Sequence, residues 1–153
     1  MSRGKKTLLW VAVVLVVGFG ALQLVPYGRD HTSPPVTGEP RWDSPQTEAL
    51  AAGACFDCHS NETMWPWYAS IAPASWLVYR DVAEGRDHLN FSEWPAVGGD
   101  GGGGGGGGLM TRAAEMVSEG EMPPLQYRLA HRAARLSDAQ KRQLIDGFRA
   151  SAR

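Results

Sequence analysis

The sequence predicts an all-α domain that follows a single N-terminal membrane-spanning helix. Three observations support this fold class. A long apolar run occupies residues 8–25. Several later segments carry apolar residues at helical spacing and are bounded by N-cap residues, prolines and glycines. The sequence also lacks the alternating strand and helix patterns from which a βαβ unit is built.

The first predicted element is a membrane anchor over residues 1–25. Arg3, Lys5 and Lys6 precede the apolar run, which would make about 27 Å of helix and is close to the thickness of a bilayer core. A cleaved signal peptide is the alternative, but it would have a shorter apolar region and a small-residue cleavage site. The position of the basic residues predicts a cytoplasmic N-terminus and an extracytoplasmic domain.

The next stretch, residues 26–43, contains prolines and glycines but shows no apolar periodicity. It predicts an extended spacer outside the membrane, in which His31 is solvated. A domain over residues 44–153 then follows. Within it, residues 98–108 are nearly all glycine, which predicts a flexible loop. A phosphate-binding loop is not indicated there, because no strand precedes the glycines and no Lys-Ser/Thr pair follows them.

Capping residues mark the helices of the domain. Ser44 with Pro45 starts one helix, Gly120 ends another, and Ser137 with Gln140 forms a capping box for the last. These signals and the apolar spacing predict helices over about 45–52, 73–85, 109–119 and 138–150. The net charge of the chain is −1, which excludes a strongly basic nucleic-acid-binding domain.

The chemistry of the sequence is concentrated at Cys55, Cys58 and His59. The two cysteines are the only ones in the chain, and the histidine directly follows the second. This spacing is typical of c-type haem attachment: both thiols reach the vinyl groups of one porphyrin, and the imidazole lies beneath the iron. A thiol–disulfide motif and a zinc site remain alternatives, although zinc would need further ligands from His31, His88 and His131.

Met122 is the predicted second iron ligand. It precedes Pro123, which keeps it out of helical geometry in a stiff segment that suits a thioether approaching the iron. Other candidates remain: Met64, Met110, Met116, His88 and His131. Three tryptophans are predicted to pack against the porphyrin, namely Trp65, Trp67 and Trp76. The carbonyl group of Pro66 or Pro73 is predicted to orient the imidazole of His59.

From residue 44 onward the chain resembles a bacterial group of small haem-binding-domain proteins related to class I cytochrome c. The resemblance rests on the runs CFDCHSNET at 55–63, WPWY at 65–68, SWLV at 75–78, EGR at 84–86, LNFSEW at 89–94 and GEMPP at 120–124. It implies covalent haem on Cys55 and Cys58, with His59 as axial ligand and Met122 as its natural partner. The glycine run and Arg132, where the group tends to have proline, are departures.

These features predict a membrane-anchored c-type cytochrome with one covalent haem that transfers electrons and does no chemistry on a substrate. Its partners would be a redox protein at the membrane and the lipid around the anchor, but no nucleic acid. A haem sensor or peroxidase-like protein with an open distal site is the alternative, and a tethered thiol–disulfide protein is a weaker one. Because the core is thin, the fold is expected to depend on haem.

Overall fold

The structure is a computed structural model that describes residues 2–95 and 105–153. The described residues form seven α-helices and a 3-10 turn, Trp67–Ser70, but no β-strand beyond an isolated bridge between Gly38 and Glu93. The prediction of an all-α protein is therefore confirmed. The helices are α1 (Arg3–Leu22), α2 (Pro45–Ala54), α3 (Phe56–His59), α4 (Ala74–His88), α5 (Gly106–Glu119), α6 (Leu125–Ala130) and α7 (Asp138–Ser151).

The chain divides into two compact units. The first comprises Met1–Thr32 and Trp65–Asp81, and the second comprises Ser33–Met64 and Val82–Arg153. This division differs from the predicted boundaries at residues 25 and 43, because each unit combines two separate parts of the chain. The predicted division into anchor, spacer and domain remains a prediction.

Helix α1 is the only described helix that is long and apolar enough to cross a membrane. Its side chains are exposed along its length, as expected of a helix that the protein itself does not cover. A helix of about 20 apolar residues matches the thickness of a bilayer core. The structure thus agrees with the sequence that one N-terminal helix can span a membrane.

In the first unit, the chain that follows α1 packs closely against the segment before and within α4. The Gln23 side-chain amide donates to the Ala72 carbonyl at 2.9 Å and accepts from the Ala72 N–H at 3.0 Å. His31 stacks on Trp65 with ring centroids 4.4 Å apart, and its Nε2 lies 3.1 Å from the Ala69 carbonyl oxygen. The expectation that His31 is solvated was therefore wrong, because ring stacking and this polar contact hold it half-buried.

The core of the second unit lies between α2, α5 and α7. Helix α7 packs against both α5 and α2. The approach to α2 is close because Gly147 has no side chain: a Cβ there would overlap the Thr47 hydroxyl. The buried apolar side chains at the centre of this core are Ala51, Phe91, Met110, Ala114, Val117, Leu144 and Phe148.

The predicted caps are confirmed. The Ser44 hydroxyl accepts from the Thr47 N–H at 3.3 Å, Ser137 and Gln140 form the capping box, and Gly120 ends α5 with a left-handed φ of 78°. The predicted helices extend by one to three residues at several ends. Two helices, α3 and α6, were not predicted, because four and six residues are too few to show helical periodicity.

The predicted glycine loop at 98–108 falls mostly on residues 96–104, which lie outside the described part of the chain. Where its end is described, the prediction was wrong: Gly106–Gly108 form the first turn of α5. Close packing requires glycine at two positions of this first turn. A Cβ at Gly106 would overlap the Trp94 indole nitrogen, and one at Gly107 would lie 2.5 Å from the Ala152 carbonyl oxygen. Glycine there allows α5 to approach its neighbours.

Candidate functional site

Cys55, Cys58 and His59 lie together in one turn of the second unit. Cys55 ends α2 and begins α3, and its carbonyl accepts from the Cys58 N–H at 3.1 Å and from the His59 N–H at 2.9 Å. Both cysteines are thiols and are partly buried. Two thiols and one imidazole therefore belong to residues of a single helical turn, as the sequence motif predicted.

The imidazole of His59 is oriented by the C-terminal half of α4. Its Nδ1 lies 2.9 Å from the Gly85 carbonyl oxygen and 3.1 Å from that of Leu89. A carbonyl can only accept, so Nδ1 carries the proton and donates, and the lone pair is on Nε2. Nε2 is thus the nitrogen that can bind a metal.

The prediction that Pro66 or Pro73 orients this imidazole was wrong. Their carbonyl groups accept from the backbone N–H groups of Ala69 and Trp76 and so stabilise local turns. The acceptors come instead from Gly85, in the last turn of α4, and from Leu89, which directly follows the helix.

Gly85 lets α4 approach the motif closely. A Cβ on Gly85 would overlap the Cys58 carbonyl oxygen, so only glycine fits this contact. After α4 ends, the Phe91 N–H donates to the His59 carbonyl at 2.7 Å. The close contact at Gly85 and the hydrogen bond from Phe91 together fix the backbone of the motif.

Burial lowers the pKa of His59, and the nearby His88 lowers it further, whereas the two carbonyl contacts oppose this shift. The imidazole is therefore kept neutral, which is the form that binds a metal. His88 itself is exposed on α4, where its Nδ1 lies 2.9 Å from the Glu84 carbonyl oxygen.

Arg86 supports the chain that leaves His59. Its Nε donates to the buried Ser60 carbonyl at 2.8 Å, and its Nη2 donates to the Thr63 hydroxyl at 2.9 Å. Burial lowers the pKa of Arg86, while Glu93 and Cys58 oppose that shift. Sequence reasoning gave Arg86 no role at the motif, because nothing in the local pattern shows that the chain after His59 folds over it.

Asp57, between the two cysteines, connects the motif to α6. One carboxylate oxygen accepts from the Met64 N–H at 2.9 Å, and the other accepts from the Tyr127 hydroxyl at 2.6 Å. Burial raises the pKa of Tyr127, and the hydrogen bond to Asp57 adds to that shift. Sequence reasoning missed this pair, because the two residues lie far apart in the chain and Tyr127 belongs to no recognised motif.

Met122 lies in a non-helical turn between α5 and α6. Its N–H donates to the Met116 carbonyl at 3.2 Å, and the half-buried side chain packs against the same apolar core as Cys55. The structure thus brings Met122 and Cys55 to one core. Two alternative methionines are less suitable, since Met110 is wholly buried in that core and Met64 is 78% exposed.

The three predicted tryptophans belong to the first unit. Trp65 stacks on His31, Trp67 is 78% exposed with its ring edge against Tyr68, and the indole N–H of Trp76 is buried without a hydrogen-bond partner. The other candidate site residues belong to the second unit. Packing of the tryptophans against a porphyrin therefore stays a prediction.

A comparison with protein families identifies the class of cofactor. The sequence profile of the family described as "haem-binding domain" matches residues 17–150, which is most of the chain. The chain belongs to this haem-binding domain family. No curated protein and no solved structure gives a significant match. The match supports haem as the group that the motif serves.

The residues of the second unit fit a haem. A neutral imidazole with its lone pair on Nε2 is available at His59, two thiols stand beside it, and Met122 supplies a thioether at the same core. Among residues 2–95 and 105–153, no group of three or more His, Cys, Asp or Glu side chains is arranged to hold a bare metal ion. The donor set is thus better suited to an iron porphyrin than to structural zinc.

Proposed function

We propose that the protein is a membrane-anchored c-type cytochrome that binds one haem covalently through Cys55 and Cys58 and transfers electrons. The observation that carries this proposal is the orientation of His59, which lies in the same turn as Cys58 and whose Nδ1 donates to the carbonyl groups of Gly85 and Leu89. An iron porphyrin held there supplies reversible one-electron chemistry.

His59 is the proposed proximal ligand. The carbonyl groups of Gly85 and Leu89 fix its tautomer and ring orientation and make Nε2 a better donor, as partners of metal-bound histidines usually do. The turn that holds Cys55 and Cys58 carries the same imidazole. Attachment and ligation are therefore properties of one short, well-fixed segment.

Met122 is the proposed second ligand. Its backbone is held outside helical geometry between Gly120 and the prolines that follow, and its side chain lies at the core that Cys55 also contacts. His59 and Met122 would then hold the iron together, and such a His/Met pair would raise its reduction potential. With both residues bound, the iron would transfer electrons and leave no site for a substrate.

Helix α1 supports the proposed location. Its basic N-terminal residues favour the cytoplasm, which places the haem domain on the extracytoplasmic side of the membrane. Confinement to this layer raises the effective concentration of another membrane-bound redox protein, the proposed partner. The excess of basic side chains after residue 126 favours an acidic docking face on that partner.

A thiol–disulfide role is less consistent with the site. Burial raises the pKa of the Cys55 thiol to about 12, and the neighbouring Cys58 adds to this shift. Reactive cysteines in thiol exchange have lowered pKa values, since the thiolate is the nucleophile.

A sensor or peroxidase-like role would need an open distal position with an acid–base pair. His88 with Glu84 or Asp87 is the candidate pair that the sequence offers. All three residues belong to α4, whose Gly85 carbonyl orients His59, so they are associated with the proximal side. Electron transfer is therefore the function that these contacts favour.

Maturation of the full chain with a c-type haem attachment system tests the proposal. The purified protein, kept in detergent, should retain its haem after acid–acetone extraction and show sharp absorption bands when reduced. The reduced protein should bind no carbon monoxide. Haem that extracts freely would contradict covalent attachment, whereas rapid carbon monoxide binding would contradict electron transfer through a closed iron site.

A further inference from the structure

The segment that follows Met122 has little support from helix packing. Helix α6 begins three residues after Met122 and contains only six residues. A helix of this length does not form by itself. In the described part of the chain, the helix packing of the second unit consists of α2, α3, α5 and α7 and does not include α6. The position of α6 therefore depends on individual side-chain contacts.

Tyr127 makes the contact that ties α6 to the haem motif. Its hydroxyl donates to Asp57 over 2.6 Å, which joins positions 70 residues apart in the chain. The other oxygen of Asp57 accepts from the Met64 N–H, so the carboxylate is already held in orientation. A short hydrogen bond from a phenol to a carboxylate is among the stronger ones in proteins.

Other contacts join Tyr127 and the rest of α6 to the turn that follows the helix. The His131 ring stacks on Tyr127 with centroids 4.0 Å apart. Arg135 donates to the carbonyl oxygens of Arg128 and Leu129 at 2.8 and 2.7 Å, which fastens the end of the helix. The bond between Tyr127 and Asp57 thus fixes the whole of α6 relative to the motif.

We propose that Tyr127 is a positioning residue whose hydrogen bond to Asp57 holds Met122 over the haem iron. This inference rests on the proposed function, because it takes Met122 as the second ligand. Met122 is bounded on one side by the α5 C-terminus, to which its N–H is bound, and on the other by Pro123, Pro124 and α6. Breaking the bond frees the α6 side, so Met122 leaves the iron more readily and a small ligand can replace it.

The test compares three matured full-length proteins in detergent: wild type, Tyr127→Phe and Tyr79→Phe. Tyr79 is the matched control, because this variant removes an equivalent hydroxyl from a residue that is not part of α6 and whose ring packs against Tyr27 in the first unit. Acid–acetone extraction, the far-red methionine–iron band and the affinity of the ferric haem for imidazole are measured.

We expect all three proteins to retain haem and Tyr127→Phe to bind imidazole about tenfold more tightly than wild type, which corresponds to about 1.4 kcal/mol. Tyr79→Phe should match wild type. If wild type shows the methionine–iron band and Tyr127→Phe has wild-type imidazole affinity, the role of Tyr127 is overturned and the His/Met ligation stands. If wild type lacks the band, both proposals fail.

A second variant covers the case in which Tyr127→Phe does not mature. Asp57→Asn keeps one neutral acceptor in place of the carboxylate, so it should weaken the bond to Tyr127 without removing it. Its imidazole affinity is expected to exceed that of wild type, by less than the factor of about ten expected for Tyr127→Phe. A wild-type affinity in Asp57→Asn would overturn the positioning role.

Discussion

His59 and Met122, the two proposed axial ligands, are held by the fold in different ways. His59 lies in a helical turn, its ring is bound to two carbonyl groups, and its backbone is joined to the chain after α4. Met122 lies in a turn outside any helix, with its N–H bound to α5 and its downstream side tied through Tyr127. The fold thus holds the proposed proximal ligand through several backbone contacts, whereas the proposed distal ligand depends on a few separate bonds.

This difference has a consequence for function. Losing a proximal contact disturbs the backbone that carries both cysteines, so the whole domain is affected. If Met122 is the second ligand, losing a distal contact should change iron ligation and leave attachment intact. The predictions below test this contrast.

Removing the attachment site should have the largest effect. In the double variant Cys55→Ala, Cys58→Ala, no haem should survive acid–acetone extraction, and the cooperative thermal unfolding transition should disappear because the small core lacks the porphyrin. Circular dichroism during heating measures this. A double variant that unfolds cooperatively at the wild-type temperature would show that the fold is independent of haem.

Arg86→Met should destabilise the proximal side by about 2–3 kcal/mol, since it leaves the buried Ser60 carbonyl without the Arg86 Nε–H that it accepts from. Denaturant unfolding of the matured protein gives the free energy. Arg132→Met is the matched control, because Arg132 is exposed and should change stability little. Equal losses in both variants would count against a proximal role for Arg86.

Gly85→Ala should lower stability by about 1–3 kcal/mol, because its Cβ would overlap the Cys58 carbonyl oxygen and push α4 away from the motif. Gly108→Ala has nothing within 4 Å of its Cβ and should match wild type or exceed it, since alanine favours helix. The unfolding temperature of each variant measures the effect. An unchanged Gly85→Ala protein would show that the close approach of α4 is not required.

Much of the fold could be predicted from local signals. Ser44, Gly120 and Ser137 mark helix ends through contacts with their immediate neighbours, and the cysteine motif carries its own spacing. The contacts that complete the site could not be predicted in the same way. The carbonyl groups of Gly85 and Leu89, and the bond between Asp57 and Tyr127, join segments far apart in the sequence and depend on how the helices pack.

The glycines illustrate the same limit. Composition alone predicts a flexible loop at 98–108, yet Gly106 and Gly107 lie in α5, where neighbouring groups leave no room for a side chain. His31 shows the reverse, since a polar residue in a proline-rich stretch was expected in solvent and instead stacks on Trp65. Both outcomes depend on partners that the local sequence does not reveal.

The most direct test of the His59–Met122 pairing is the visible spectrum of the matured ferric protein, compared between wild type and Met122→Ala. We expect a weak far-red methionine–iron band in wild type that disappears in Met122→Ala. The haem should stay covalently attached in both proteins, and only the variant should bind carbon monoxide when reduced. A wild-type spectrum without that band, or an unchanged band in Met122→Ala, would contradict the pairing of His59 with Met122.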